Sequence, residues 1–187
     1  MLDSRQRQTL LAVARQSIRE ALGGAAEDAA SPSPITAAYG GIFVTLERRG
    51  ELRGCIGSFR DIEELVQATR EAARATLSDP RFGHDPVTAA ELPDLTVEIS
   101  LLSARVLMES LDELTLGEHG IIVRYGDRSG CFLPKVAGQR AWNAEQFLAN
   151  CCIMKAGLPA DAWRRDGAEV WLFTAEVFSD RAPDRLE

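Results

Sequence analysis

Histidine is scarce in this chain of 187 residues: His84 and His119 are the only two. None of the four cysteines (Cys55, Cys131, Cys151 and Cys152) forms a C-x-x-C pair, so zinc-ribbon and thioredoxin-type motifs are excluded and no metal site is expected. No apolar run approaches the roughly 20 residues that span a bilayer. Met1–Gln6 lacks the pattern of a secretory leader. These absences point to a cytoplasmic protein with reduced thiols and no membrane association. Positive charge is also short. Lys and Arg total 21 against 28 Asp and Glu, a net charge of −7, so the basic face of a nucleic-acid binder is not expected. Aromatic residues make up 6% and are not interleaved with a basic run. Glycine-rich phosphate loops of Walker or Rossmann type are missing.

What is present is concentrated in Leu52-Arg53-Gly54-Cys55-Ile56-Gly57. A cysteine stands two residues from an arginine and between two glycines near the end of a strand-like run. Residues i and i+2 of a strand share a face, so Arg53 and Cys55 are expected on one side. A neighbouring cation favours the thiolate that acts as nucleophile or ligand. Gly54 and Gly57 weaken a strand with no packing gain, which favours close approach of another group. Cys151 and Cys152 are expected to be small buried hydrophobes instead.

Around this segment the chain reads as one domain, residues 1–187, mixing helices and antiparallel strands without regular βαβ alternation, hence α+β with a mostly antiparallel sheet and flanking helices. An amphipathic helix is expected over 3–22, ended by Gly23-Gly24. A mobile surface connection follows over 23–38, with a short helix near 25–29 as one option inside it. Residues 41–47 and 51–56 form a hairpin. A three-residue Arg48-Arg49-Gly50 loop, pairing residue 47 with 51 and 44 with 54, is expected, because a two-residue loop would bury an unpaired Arg53. A second helix is expected from Asp61 to the Asp79-Pro80 stop. A strand over 95–102 and a hairpin over 120–133 follow. Asn143 caps a helix that runs to Lys155 and stops at Gly157. A last strand spans 168–178.

A cysteine nucleophile needs polar helpers. Asp79, Arg81, Glu98 and Ser100 are polar groups able to line one hollow with Cys55, and His84 and His119 are the available imidazoles. Nothing in the spacing brings either histidine to the sulfur.

The hexapeptide resembles the hallmark motif of the AMMECR-one domain family. The likeness extends from about Gly40 to Asp180. It includes Gly41–Leu46, Asp79-Pro80-Arg81-Phe82, Val97–Ser100, Gly117–Gly120, Phe132-Leu133-Pro134 and Lys155–Leu158 followed by Trp163. It implies two unequal lobes with a cleft, the hexapeptide near it, and an association, at least genomic, with a Memo-like protein and a radical SAM protein. It carries no settled activity, and nothing names a cofactor.

Two functions follow. In the first, a small enzyme or a component of a modification system uses Cys55 as nucleophile or thiolate ligand. Arg53 and His119 assist catalysis, and Gly54, Gly57, Arg81, Glu98 and Ser100 hold a small-molecule substrate. In the second, the same segment is a non-catalytic surface that docks a partner or a small ligand.

Overall fold

A computed structural model of the chain describes residues 1–25 and 32–180. It is an α+β protein whose contacts divide it into two compact units: Met1–Leu102 together with the stretch from Glu176, and Ser103–Ala175.

In the first unit, helix α1 (Ser4–Ala21) starts where the Asp3 side chain accepts the Gln6 N–H and the Gln6 side chain returns to the Asp3 N–H. Its apolar stripe buries Leu10, Leu11, Ala14 and Ile18. The expected connection over 23–38 is shorter than the sequence implied. Strand β1 (Thr36–Tyr39) already pairs with β4 (Ile62–Glu64). Of the option of a helix near 25–29, positions 26–29 lie outside the described residues.

Strands β2 (Gly41–Arg48), β3 (Glu51–Ser58), β5 (Leu95–Leu102) and β10 (Ala175–Ser179) form a sheet of order β10-β5-β2-β3, which leaves β3 at an edge. The β2–β3 hairpin corrects the expected register. Arg48 pairs with Glu51 across a two-residue Arg49-Gly50 turn, both residues at positive φ (53° and 83°). That is the twist a tight hairpin favours. An irregularity between Leu46 and Glu47 then shifts the pairing, so Leu46 faces Gly54, Thr45 faces Cys55 and Val44 faces Ile56. The extra residue re-aims the strand. Arg53 therefore escapes the aliphatic face without the three-residue loop, and it is not an unpaired guanidinium.

Helix α2 (Leu65–Thr76) begins four residues later than expected. Ile62–Glu64 is held as a strand by β1, and the Glu64 carboxylate caps the helix by accepting the Val66 and Gln67 N–H groups at 2.9 and 2.7 Å. The core of this unit joins Ile42, Val44, Leu46, Val97, Ile99 and Leu101 to Leu10, Ala14, Ile18, Leu65 and Ala73.

The second unit holds β6 (Val106–Leu107), β7 (Gly120–Tyr125), β8 (Arg128–Phe132) and β9 (Ala168–Phe173) in the order β6-β9-β7-β8. The expected strand over 168–178 is broken at Thr174, and its halves join different sheets. A short helix α3 (Lys135–Arg140) stands where the sequence carried no helix signal. Helix α4 (Ala144–Cys151) is capped by Asn143 as expected, passes into a wider π turn over Cys152–Ala156, and stops at Gly157 with φ 63°. Cys151 and Cys152 are fully buried beside Phe147 and Leu148. Burial pushes the Cys151 thiol well up from its ordinary value.

Candidate functional site

Edge strand β3 carries the hexapeptide, and neighbouring strands define what faces it. Thr45 on β2 lies opposite Cys55 on one side and Glu98 of β5 on the other, so Cys55, Thr45 and Glu98 form one row across three strands. Phe43 likewise sits between Gly57 and Ser100 in the next row of the same face. The Thr45 hydroxyl donates to Cys55 Sγ at 3.2 Å and fixes the position of the sulfur. Cys55 is half-buried, whereas Thr45 and Ser100 are buried. The Ser100 Oγ makes no hydrogen bond among the described residues.

The main chain of Cys55 is gripped on both sides. Its N–H donates to Asp79 Oδ2 at 2.9 Å, and its carbonyl accepts from the Arg81 guanidinium at 3.3 Å. Asp79 precedes Pro80, which opens a single 3₁₀ turn over Pro80–Phe82. The Asp79 carboxylate accepts the Arg81 backbone N–H at 3.1 Å, and from the Arg81 side chain the Nε–H at 3.0 Å and an Nη–H at 2.6 Å. The Asp79 side chain is only 1% exposed. Hydrogen bonding from Arg81 holds its carboxyl down at about 2, against the opposing effect of burial and with help from the Cys55 and Arg81 amides. In return, hydrogen bonding to Asp79 raises the Arg81 guanidinium.

Arg53 is committed elsewhere. Its Nε and an Nη donate to the two oxygens of Glu91 at 3.0 and 3.2 Å, and its other Nη to Asp85 at 2.8 Å. This fork leaves Arg53 only 12% and Glu91 only 9% exposed. The hydrogen bond from Arg53 lowers the Glu91 carboxyl, and the same bond raises Arg53. Glu91 is oriented by a capping box that also takes the Thr88 N–H at 3.0 Å. A hollow of about 730 Å³ opens here, lined by Arg48, Arg49, Glu51, Arg53, Asp85 and Glu91 among others. The cation touching Cys55 is thus Arg81, on its carbonyl, while two carboxylates take the charge of Arg53.

The glycines of the motif answer to neighbours. A Cβ on Gly54 would lie 2.7 Å from the Thr76 carbonyl oxygen of α2. One on Gly57 would lie 2.0 Å from the Ile42 oxygen and 2.6 Å from Phe43 Cα. Both positions therefore need a residue with no side chain.

His84 is exposed in the loop after Phe82. His119 belongs to the second unit, where its Nδ1 accepts the Thr115 N–H at 3.1 Å and closes its own turn before β7. Sequence reasoning missed Thr45, Asp85 and Glu91. The Thr88-x-x-Glu91 capping signature was the one visible signal, and it marks a helix start, not a partner for Arg53. Among the described residues no group of three or more His, Cys, Asp or Glu could hold a metal ion, and no helix is long and apolar enough to cross a membrane.

The sequence matches the AMMECR1 family over residues 11–178, and the chain belongs to that family. It is 40% identical over 164 residues to protein MK0488 of Methanopyrus kandleri, covering 82% of this chain and 77% of that one. A protein of Methanothermobacter thermautotrophicus is 38% identical, with 92% and 93% covered. The crystal structure of the uncharacterized protein PH0010 from Pyrococcus horikoshii superposes with a TM-score of 0.85 at 37% identity, over 97% of this chain and 95% of that one.

Proposed function

We propose that the chain is a cysteine-centred enzyme or a component of a modification system, in which the Cys55 thiol acts as nucleophile or thiolate ligand toward a small molecule or a protein. The observation that carries this reading is the grip of Asp79 and Arg81 on the Cys55 amide and carbonyl. A cysteine that only fills space needs no buried carboxylate to fix its backbone. Here the backbone is fixed while the half-buried sulfur is held by the Thr45 hydroxyl. Glu98 shares the face of Cys55 one strand beyond Thr45, and in this reading it meets a cationic part of the substrate. The family resemblance offers a Memo-like protein and a radical SAM protein as partners.

The test is the rate of Cys55 alkylation by iodoacetamide from pH 6 to pH 9. The reading requires Cys55 to react faster than a free thiol. A rate no greater than that of the free thiol across this range sinks it.

A second reading has its own observation. The Arg53 fork on Glu91 and Asp85 makes the rim of the motif rigid while leaving no spare charge on Arg53 for chemistry. That suits a docking surface. Partner binding lost in a motif variant, with no turnover in the wild type, favours it.

A further inference from the structure

The Arg48 guanidinium is held without a hydrogen bond of ordinary length. Its Nε is buried and has no partner among the described residues. Its Nη1 and Nη2 stand 3.6 Å from Glu91 and 3.5 Å from Asp94. Both distances exceed the roughly 2.7–3.2 Å of a well-made N–H···O bond. Neither carboxylate is free to close in. The Glu91 oxygen that meets Arg48 already accepts Arg53 Nε at 3.0 Å. The Asp94 oxygen that meets Arg48 also takes an Nη of Arg49 at 3.3 Å, so it holds the two guanidiniums side by side. Water does not reach the Arg48 Nε, so the charge depends on what meets its Nη groups. A partly buried cation without close partners is a site waiting for an anion.

Arg48 and Arg49 line the hollow of about 730 Å³ at the end of the β2–β3 hairpin. Its volume falls within the ~300–1,000 Å³ typical of small-ligand sites. Its walls are charged instead of apolar, and the signs balance: Arg48, Arg49 and Arg53 against Glu51, Asp85 and Glu91. Arg53, Glu91 and one oxygen of Asp85 are spent on each other. What remains for a ligand is a pair of cations, Arg48 and Arg49, and the carboxylates of Glu51 and Asp85. Glu51 is exposed and makes no ion pair among the described residues, and Asp85 uses only Oδ2. A plain polyanion such as phosphate gains from the arginines and loses to the carboxylates. A lone metal cation meets the reverse. A molecule carrying one charge of each sign satisfies both.

We infer that this hollow binds a small zwitterion bearing a carboxylate and an ammonium group, of the amino-acid or short-peptide class, with its carboxylate on Arg48 and Arg49 and its ammonium toward Glu51 and Asp85. The Arg53 fork is the rigid floor that keeps Glu91 from neutralising Arg48. The inference goes beyond the proposed chemistry at Cys55 and does not rest on it.

The probes are glycine, glycylglycine and triglycine, which separate the two charges by increasing lengths, titrated calorimetrically into the full chain at low ionic strength. At least one of them binds, and added salt weakens it. Acetylating its amine or amidating its carboxylate weakens binding at least about tenfold, since each removes one charge-assisted contact. Arg49→Gln and Glu51→Gln remove exposed hairpin side chains, and each weakens the zwitterion by a similar factor. In Glu51→Gln the acetylated and free peptides differ less than in the wild type, which places the ammonium. Cys55→Ser binds as the wild type does, so failure at the thiol and failure here are distinguishable. Four results overturn the inference: no binding of any of the three probes, equal binding of the blocked peptides, tighter binding of inorganic phosphate than of every zwitterion, or full binding by both Arg49→Gln and Glu51→Gln.

Discussion

The buried carboxylate of Asp79 accepts the backbone N–H of Cys55 at 2.9 Å, so a side chain 24 residues downstream does the work of a neighbouring strand. The same carboxylate is clasped by Arg81, whose guanidinium reaches round to the Cys55 carbonyl. The position of the sulfur is therefore tied to one ion pair that lies outside the hexapeptide.

Asp79 gives the chain an acid-sensitive component of stability. Its folded-state pKa of about 2 lies below the ordinary 3.8, so its contribution is complete above roughly pH 4 and is lost as the pH falls toward 2. The size is about 2 kcal/mol. Urea unfolding of wild type and Asp79→Asn from pH 2 to pH 6 should show a difference that is constant at the upper end and shrinks below pH 4. A difference that ignores pH over this range contradicts the assignment.

Arg53→Ala leaves the Glu91 carboxylate buried without its fork and should cost roughly 2–4 kcal/mol. Arg53→Lys restores the charge but not the two parallel hydrogen bonds, and should recover less than half of the loss. A double-mutant cycle of Arg53→Ala with Glu91→Ala is expected to give a coupling of about 1–3 kcal/mol. Denaturant titration of the four proteins measures it; a coupling near zero removes the fork from the account.

The two glycines of the motif should differ in tolerance. Gly57→Ala sets a Cβ against backbone atoms at 2.0 and 2.6 Å and should destabilise by more than about 3 kcal/mol or prevent folding. Gly54→Ala meets the Thr76 oxygen at 2.7 Å and the Thr76 methyl at 2.9 Å, longer than the contacts at Gly57, so about 1–3 kcal/mol is expected. Thermal melts of both variants, ranked against wild type, decide the order.

Thiol accessibility separates Cys55 from the two buried cysteines of the second unit. In the native protein, iodoacetamide should label Cys55 and leave Cys151 and Cys152, both fully buried, untouched until denaturant is added. Peptide mass mapping reads the pattern directly. Labelling of Cys151 at the rate of Cys55 would mean that the core of the second unit opens readily.

Much of the secondary structure was legible in the chain because it is local. Asp3 and Asn143 announce helices α1 and α4 through side chains that reach only three residues ahead. Leu95–Leu101 alternates apolar and polar residues as a strand does, and the apolar stripe of α2 follows helical spacing. Errors arose where a partner distant in sequence decided the outcome. Ile62–Glu64 is a strand because β1 pairs with it, and the 168–178 run breaks because its halves belong to different sheets. The hairpin register turned on whether Arg53 would be unpaired, and its partners Asp85 and Glu91 lie more than thirty residues away.

The candidate site follows the same division. Sequence alone determined that a cysteine would stand between two glycines on a strand near a cation, since residue type and strand alternation are properties of the segment itself. Only the tertiary structure decided which cation, Arg81 instead of Arg53, and which hydroxyl, Thr45, meet Cys55. The reason is that hydrogen bonds and ion pairs are made by whatever the packed chain brings within about 3 Å, and separation along the sequence does not encode that distance.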